Sequence, residues 1–314
     1  MPNLLDIRRR IRSVKNTQQI TSAMKMVSAA KLRRAQEQAL AARPYAQQLY
    51  ALMGGLAAYL DPQDLADARL PGADWPLAAL LDRRPVHRRL LVVIATDSGL
   101  VGAFNANALK AAHAAGEGAE TQILAVGRKA RDFYRRRQAT LLAGHVGQFQ
   151  HGVDHELARQ VATEAMQAYA TGAVDEVVVV GNEFKSVLQQ VVVRRRLLPL
   201  QLEPPAASGT PGAASVAAGP APATAAAAAR DYIFETPPAQ LLAELLPRAI
   251  ITQIYRSLLE SQAAEHAARM NAMEAATSNA NDLIETLTLN MNRIRQAAIT
   301  KEIIEVVSGA AALG

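Results

Sequence analysis

Few polar side chains of this sequence stand in a pattern that could catalyse a reaction. The turn Gly99-Leu100-Val101-Gly102 lies between an apolar run and a helical pattern, where a phosphate could rest on a helix N-terminus. The dinucleotide fingerprint and the Gly-Lys-Ser/Thr of a P-loop are both absent. Ser98 has no nucleophile-elbow context, and the adjacent carboxylates Asp175 and Glu176 precede a strand and read as solvated. The pattern favours a tight strand-to-helix turn over a nucleotide site.

The histidines show no metal-ligand spacing on one helix face. His151 and His155 are four residues apart, but His151 falls in a predicted loop. The chain has no cysteine, which excludes a disulfide framework and thiolate chemistry. The sequence therefore predicts no catalytic residue, no cofactor and no metal. The histidines considered are His87, His113, His145, His151, His155 and His266.

Positive charge is concentrated near the N-terminus. Nine Lys or Arg residues and no Asp or Glu lie between Ile7 and Arg34, in a chain of formal net charge +6. The run fits a nucleic-acid-binding helix, a solvated helix face, or a helix enclosed by an acidic protein collar. No aromatic residue that could stack on bases occurs before Tyr45, and nine unshielded cations would repel one another. The spacing alone leaves the three interpretations open.

The elements that must carry these residues are two long helices at the ends of the chain. Apolar residues recur there at steps of three and four, which is the spacing of a coiled-coil seam. We expect an N-terminal helix over residues 3–58, with a kink near Arg43, just before Pro44, and a C-terminal helix from Pro238, with a kink or restart at Pro247. The seams are Leu4, Ile7, Ile11 and Val14 at one end, and Ile284, Leu287, Met291, Ile294 and Ala298 at the other.

The middle of the chain alternates between strand and helix patterns. Strands are predicted over 90–94, 121–126 and 176–180, with a turn over 181–186 and a returning strand over 187–197. Helices are predicted over 102–115, 128–137 and 155–170. The predicted fold is a long antiparallel coiled coil of the two terminal helices, with an inserted Rossmann-like, mostly parallel α/β domain.

The same patterns divide the chain into five segments. The connection reads as a loop with one short helix, and residues 203–230 are rich in Ala and Pro, which predicts a flexible surface excursion. No apolar run is long enough for a membrane span, and the basic N-terminus is not read as a transit peptide because it carries the seam. The segments are the N-terminal shaft helix 1–60, the connection 61–87, the α/β domain 88–202, the insertion and linker 203–237, and the C-terminal shaft helix 238–314.

The last turns of the C-terminal helix are apolar almost all round. Such a surface is not expected to remain in water, so we predict that the tip inserts into an apolar sleeve. The chain itself is too small to supply that sleeve, which points to other polypeptides. The residues are Ile299, Ile303, Ile304, Val306 and Val307.

These segments resemble the γ subunit of F-type ATP synthases. Ile299-Thr300-Lys301-Glu302-Ile303-Ile304-Glu305, then Gly309-Ala310, is similar to that family's C-terminal signature. Ile11-Arg12-Ser13-Val14-Lys15-Asn16-Thr17 and Ile20-Thr21-x-Ala23-Met24-Lys25-Met26-Val27 resemble its N-terminal motif. In the centre, Asp97-x-Gly99-Leu100-x-Gly102-x-Phe104-Asn105 also matches. Ser98 and Val101 depart from the family, which often has Arg and Cys there, so no role is carried onto them.

The resemblance implies a central rotary stalk without a catalytic site of its own. It implies that the paired helices stand inside a ring of three α and three β subunits, with the α/β domain against the ε subunit and the c ring. Rotation of the asymmetric coiled coil would couple proton flow through the c ring to ATP synthesis or hydrolysis in the ring. The implied location is peripheral, on the cytoplasmic face of the bacterial plasma membrane. The implied contact residues are Met24, Lys25, Arg295, Gln296, Thr300, Glu302 and Tyr232. The basic run adds Arg33 and Arg34, which are expected to face acidic loops of the ring.

Two other functions stay open on the residues alone. One is a stand-alone coiled-coil scaffold, or a nucleic-acid-binding protein, with a Rossmann-like head. The other is a small nucleotide-dependent enzyme in residues 88–200. By the same resemblance, residues 203–230 fall in the part of the chain that meets the c ring. This position raises the further hypothesis that the segment modulates contact with ε or the c ring.

Overall fold

The computed structural model describes residues 4–57, 59–60, 62–70, 75–147, 152–200 and 235–313. Two long terminal helices pair with each other, and a five-stranded sheet with its own helices is inserted between them. The helices are α1 (Leu4–Ala57), α2 (Pro62–Asp67), α3 (Ala78–Leu81), α4 (Phe104–Gly116), α5 (Arg128–Arg136), α6 (His155–Ala170) and α7 (Pro238–Leu313), and the strands are β1 (Arg88–Ile94), β2 (Glu120–Val126), β3 (Thr140–His145), β4 (Glu176–Phe184) and β5 (Gln190–Leu198).

The terminal helices form an antiparallel shaft. Helix α1 has 54 residues and α7 has 76, which correspond to lengths of about 80 Å and about 114 Å. Neither helix is interrupted at its internal proline, Pro44 or Pro247, and α7 also continues through the weak helix formers Asn279 and Asn281. Every residue of the two predicted seams is buried or half-buried, whereas most of the residues between them are exposed. The predicted coiled coil is confirmed.

The sheet is mostly parallel, as the apolar runs predicted. Its strand order is β3-β2-β1-β4-β5, with parallel pairing throughout except at the edge, where β4 and β5 are antiparallel. Central strand β1 is buried on both faces, since Leu90 and Val92 enter one core and Leu91 and Val93 enter the other. This burial explains why β1 reads as a continuous apolar run instead of an alternating one.

Helices cover both faces of the sheet, and one of them is also half of the shaft. Helices α4 and α5 enclose the core around Leu91 and Ile123. On the other face, α6 packs together with the first turns of α7 through residues such as Val161, Leu242 and Ile254. Helix α7 belongs to the shaft and also packs on the sheet of the α/β domain, which we call the head. The head and the shaft therefore share one continuous helix.

Three local predictions differ from the structure. Strand β4 continues to Phe184, so the expected turn over 181–186 is wrong, and the chain turns at 185–189 before β5 begins at Gln190. No strand was predicted at β3, whose alternating side chains are only half-buried because it lies at the sheet edge. The connection 61–87 holds two short helices instead of one.

Candidate partner-contact surface

Polar contacts between the two shaft helices fix their register. The side-chain amide of Gln18 donates to Asn281 at 2.8 Å, the hydroxyls of Thr21 and Thr277 are 2.7 Å apart, and Lys25 Nζ lies 2.7 Å from Glu274 Oε1. A slip of either helix by one turn would break all of these contacts together. The register therefore sets which shaft residues face outward at each height.

A buried ion network fastens the head to the shaft. Glu260 of α7 is 3% exposed and accepts hydrogen bonds from Arg195 of β5 at 3.0 Å and from Arg256 at 2.8 Å. Arg195 also donates to Glu183 of β4 at 3.1 Å. Because a buried carboxylate requires charged partners, this network favours one orientation of the sheet against α7.

A second network joins the same helix to the loop after β1. Arg269 Nη2 donates to Glu265 at 2.7 Å and to the Ser98 hydroxyl at 2.6 Å. Burial raises the pKa of Glu265, and the Arg269 guanidinium opposes that rise. Burial, reinforced by the charges of Arg269 and Lys31, lowers the pKa of His266 to about 4. His266 is therefore a neutral core residue at pH 7.

Protein groups occupy the start of α5 and cover part of the turn before α4. The Asp97 carboxylate accepts from the backbone N–H of Arg128 at 2.9 Å, at the start of α5, and from that of Gly147 at 3.0 Å. Val101, in the turn before α4, is buried against Ala264 of α7. The Asp97 carboxylate thus takes the place of an anion at the start of α5, and α7 covers part of the Gly99–Gly102 turn.

The tip of the shaft is a single apolar helix in this chain. Ile7 lines one groove with Leu287 and Ile294, so α1 begins beside that part of α7, and α7 continues about 27 Å beyond it. Five apolar side chains of this extension are 49–71% exposed, which is the arrangement that the sequence predicted would need a sleeve. They are Ile299, Ile303, Ile304, Val306 and Val307.

The predicted contact residues fall into two zones of the shaft. Near its middle, Met24 and Lys25 are half-buried and Arg33 and Arg34 are exposed, with Arg33 paired to Glu37 at 3.2 Å. The tip zone begins about 32 Å further along α7, measured from the Glu274 that holds Lys25. Its members Arg295, Gln296, Thr300 and Glu302 are exposed, and the Thr300 hydroxyl donates to the Gln296 carbonyl. Tyr232 and the 203–230 segment lie outside the described residues.

The basic run is less bare than the sequence suggested. The interpretation that it lacks counter-charges is wrong in part, because Arg9 lies 4.0 Å from Asp6, Lys25 pairs with Glu274, and Arg33 pairs with Glu37. Two of the acids, Asp6 and Glu37, sit just outside the acid-free stretch, and the third comes from the other helix. Three acids against nine cations leave the surface strongly cationic, and exposed pairs of this kind contribute only about 0–1 kcal/mol each.

Sequence reasoning did not find the residues that join head to shaft. Glu260, Glu265 and Arg269 lie in an ordinary helical stretch, and their partners Arg195 and Ser98 are distant in sequence. The signals available were the Glu–Arg spacing of four between Glu265 and Arg269, and a charged residue within an apolar stretch at Glu260. Neither signal names the partner strand or loop.

Metal-ligand clusters and membrane-spanning helices are both absent from the part of the chain that the structure describes. Among those residues, no group of three or more His, Asp or Glu side chains is placed to hold a metal ion. Within the same ranges, none of the helices is both long and apolar enough to cross a membrane. The exposed shaft and tip are thus the features that most clearly call for a partner.

Comparison with known proteins identifies the family of this chain. The family model described as ATP synthase matches residues 3–313. The ATP synthase gamma chain of Solibacter usitatus is 49% identical over 99% of this chain and 99% of its own length. That of Heliobacterium modesticaldum is 44% identical over the whole of both chains. This chain belongs to the ATP synthase gamma chain family.

Solved structures show the same fold. A chain in the Euglena gracilis mitochondrial ATP synthase structure described as OSCP/F1/c-ring, rotational state 3, has a TM-score of 0.63 at 18% identity, covering 99% of this chain and 94% of its own length. A chain in the central stalk/c-ring structure of the Tetrahymena thermophila enzyme has a TM-score of 0.55 at 22% identity, covering 82% and 99%. The shaft with an inserted α/β head is therefore shared across distant relatives.

Proposed function

We propose that this chain is the central rotary stalk of a bacterial F-type ATP synthase. Its shaft stands inside a ring of three α and three β subunits, and its head rests against ε and the c ring. Rotation couples proton flow through the c ring to ATP synthesis or hydrolysis in the ring. The chain contributes no catalytic residue and works at the cytoplasmic face of the plasma membrane as a peripheral subunit.

The observation that carries this proposal is the bare apolar tip. Free in water, Ile303, Ile304 and Val306 expose more than half of their surface, which is unfavourable by roughly 25 cal/mol per Å². A sleeve of other subunits removes that cost. Membership of the ATP synthase gamma chain family supports the assignment of this sleeve to the α and β subunits.

The shaft can act mechanically because its faces differ around its axis. Near its middle, α1 presents the cations Arg33 and Arg34, whereas Lys25 is partly turned toward α7 by its pair with Glu274. Each β subunit then meets a different face as the shaft turns. Differential contact of this kind shifts each catalytic site between conformations of different nucleotide affinity. On this proposal, Met24, Lys25, Arg33 and Arg34 face β near the coupling region. The polar residues of the tip zone, Arg295, Gln296, Thr300 and Glu302, contact loops of the ring, and Tyr232 faces the c ring.

The proposal is tested by pulling an affinity-tagged chain out of native membranes after mild solubilisation. We expect ATPase activity and α and β subunits to travel with it. The double variant I303D/V307D should lower the recovered activity because it places two carboxylates in the sleeve. The matched control Leu188→Asp changes a side chain that is 86% exposed on the head hairpin and should leave recovery unchanged.

Other outcomes would overturn the proposal. A tagged chain recovered alone would favour the stand-alone scaffold. Recovery with nucleic acid, released steeply by salt, would favour the nucleic-acid-binding alternative, because phosphate contacts are lost through counterion release.

A further inference from the structure

Strand β5 forms one edge of the sheet and pairs on one side only. It is nine residues long and pairs with β4 from end to end. From Gln190 to Arg196 the pairing runs without a shift in register. Among the residues that the structure describes, no backbone group outside β4 bonds to β5. The outer side of β5 therefore presents a row of N–H and C=O groups that a neighbouring strand could use.

The other edge of the sheet is better protected. Strand β3 has only six residues, and the aliphatic stem of Arg131 packs over its Gly144. Proteins commonly shorten or cover an edge strand in this way, because an open edge can pair with another extended chain. β5 is longer and contains no proline, and its three consecutive valines favour strand pairing. Of the two edges, β5 is the one suited to receive a further strand.

The face of β5 toward α7 is apolar at its first half and satisfied at its second. Val193 and Arg195 line a small space there with Ser257 and Glu260. Arg195 is held by Glu260 and by Glu183, so its charge is used within the chain. Because side chains alternate along a strand, Val191 points to this same face. A strand added beside β5 would meet valines on this face.

The face of β5 toward α4 is cationic. Val192 packs against the core around Leu91, and Arg194 and Arg196 follow it at alternate positions on the same face. Both arginines are exposed, and among the described residues neither has a hydrogen-bond or ion-pair partner. A strand added beside β5 would therefore meet two guanidinium groups on this face, each with free donors.

A second copy of this chain does not suit the edge. Antiparallel pairing of two β5 strands about a two-fold axis at Arg194, Arg195 or Arg196 would place guanidinium groups directly opposite each other. Like charges in opposed cross-strand positions are destabilising, and charged residues on an edge strand are a common means of preventing self-pairing. The same two arginines favour a strand that carries the opposite charge.

We infer that the outer edge of β5 receives an extended segment of a partner subunit in which acidic and apolar residues alternate. Its acidic side chains lie opposite Arg194 and Arg196 on the α4 face, and its apolar side chains continue the row of Val191 and Val193 on the α7 face. In this mode of recognition, backbone hydrogen bonds supply affinity and the side chains supply specificity. Arginine suits the second role because its planar fork of donors matches a carboxylate.

The partner must turn with the head. A strand joined by backbone hydrogen bonds keeps one position on the sheet, so a stationary subunit would have to detach during each rotation. The inference thus rests on the proposed function, which gives the head two partners that rotate with it. One of them, the c ring, lies largely in the membrane, where an unpaired strand is unfavourable. We therefore assign the added strand to ε.

Hydrogen exchange tests whether β5 is paired in the complex. The full-length chain is measured alone and in the complex recovered from membranes, and exchange is followed in peptides that cover Gln190–Leu198. We expect about half of the β5 amides, those that face outward, to exchange freely in the isolated chain and at least about tenfold more slowly in the complex. In a complex from which ε has been removed, the free exchange should return.

Charge variants test the part played by the two arginines. R194E/R196E should lower the amount of ε recovered with the tagged chain at least about tenfold, because two attractive cross-strand pairs become repulsive. R194K/R196K should retain most of the ε. The matched control K110E/K129E makes the same change of charge at two exposed positions on α4 and α5, and should leave the recovery of ε unchanged. Equal thermal unfolding shows that each variant is folded.

Four results would overturn the inference. Exchange of β5 that does not change on assembly would show that no strand is added, and protection already present in the isolated chain would show that the chain covers its own edge. Protection that persists without ε would assign the edge to another subunit. Equal recovery of ε in R194E/R196E and in K110E/K129E would remove the role of the arginines. In all four cases α and β still accompany the chain, whereas failure of the proposed function would leave the tagged chain without them.

Discussion

The position of Lys25 allows it to pair with Glu274 of this chain and also to contact a partner subunit. Its Nζ lies 2.7 Å from Glu274 Oε1, yet its side chain is 39% exposed and that of Glu274 is 59% exposed. A pair this exposed contributes less than about 1 kcal/mol to stability. The charge swap K25E/E274K keeps the internal pair while reversing the charge that a partner would meet.

We therefore expect Lys25→Glu to lower the free energy of unfolding by less than about 1 kcal/mol, and the swap to restore it. Coupled ATP turnover should stay low in the swap if Lys25 faces an acidic loop of β. Chemical denaturation of the isolated chain and turnover of the assembled complex measure the two effects. Full recovery of turnover by the swap would show that Lys25 acts only through Glu274.

His266 makes the stability of the head–shaft junction depend on pH. It is 5% exposed, its pKa is lowered to about 4 by burial and by Arg269 and Lys31, and its buried Nδ1 has no hydrogen-bond partner. The unfolded chain binds the proton near pH 6.5 and the folded chain only near pH 4, so stability falls as pH decreases through that window. Glu265, whose pKa is raised, contributes in the opposite direction above its ordinary pKa.

The wild-type chain should therefore lose up to about 3 kcal/mol more stability than His266→Gln between pH 7 and pH 4. Comparing the two proteins removes most of the Glu265 contribution, because both retain it. Denaturant midpoints at a series of pH values provide the measurement. Parallel pH profiles for the two proteins would contradict the assignment.

Among the elements, those with a strong periodic pattern could be predicted and those held by distant partners could not. The seams that end in Val14 and Ala298 identify the shaft because their spacing is repeated over many turns. β3 was not predicted because it is an edge strand in which half-buried side chains alternate with exposed ones. The hydrophobic alternation around Leu141 is therefore weak. The turn predicted at Gly181 was wrong because this glycine lies within a strand that continues to Phe184, where it packs beside the side chain of Ile94.

The junction between β5 and α7 depends on Glu260. Glu260→Ala would leave the half-buried Arg256 and Arg195 without their shared carboxylate, although Arg195 keeps Glu183. We expect a loss of about 3 kcal/mol in the free energy of unfolding. The matched control Glu37→Ala breaks the exposed pair with Arg33 and should cost less than about 0.5 kcal/mol. Equal denaturant midpoints for the two variants would show that the junction is not held by this network.

Across the whole chain, the apolar tip and the basic run could be identified from the sequence, but the contacts that join the head to the shaft could not. The apolar tip around Ile303 and the basic run around Arg33 were visible as residues without a sufficient partner in the chain. The head–shaft contacts of Glu260 and Arg269 required the fold, because their partners lie on a strand and a loop far away in sequence. Through these contacts the shaft and the head are joined as one body.

A rotor of this kind should tolerate a covalent link between its two shaft helices. The hydroxyls of Thr21 and Thr277 are 2.7 Å apart, and the chain has no cysteine, so T21C/T277C can form one defined disulfide. We expect the oxidised complex to retain turnover and proton coupling, because both helices turn together. The single variant T21C, treated with the same oxidant, controls for other oxidation. Turnover that falls on oxidation and returns on reduction would show that the helices must separate during the cycle, and the stalk would then act by internal rearrangement as well as by turning.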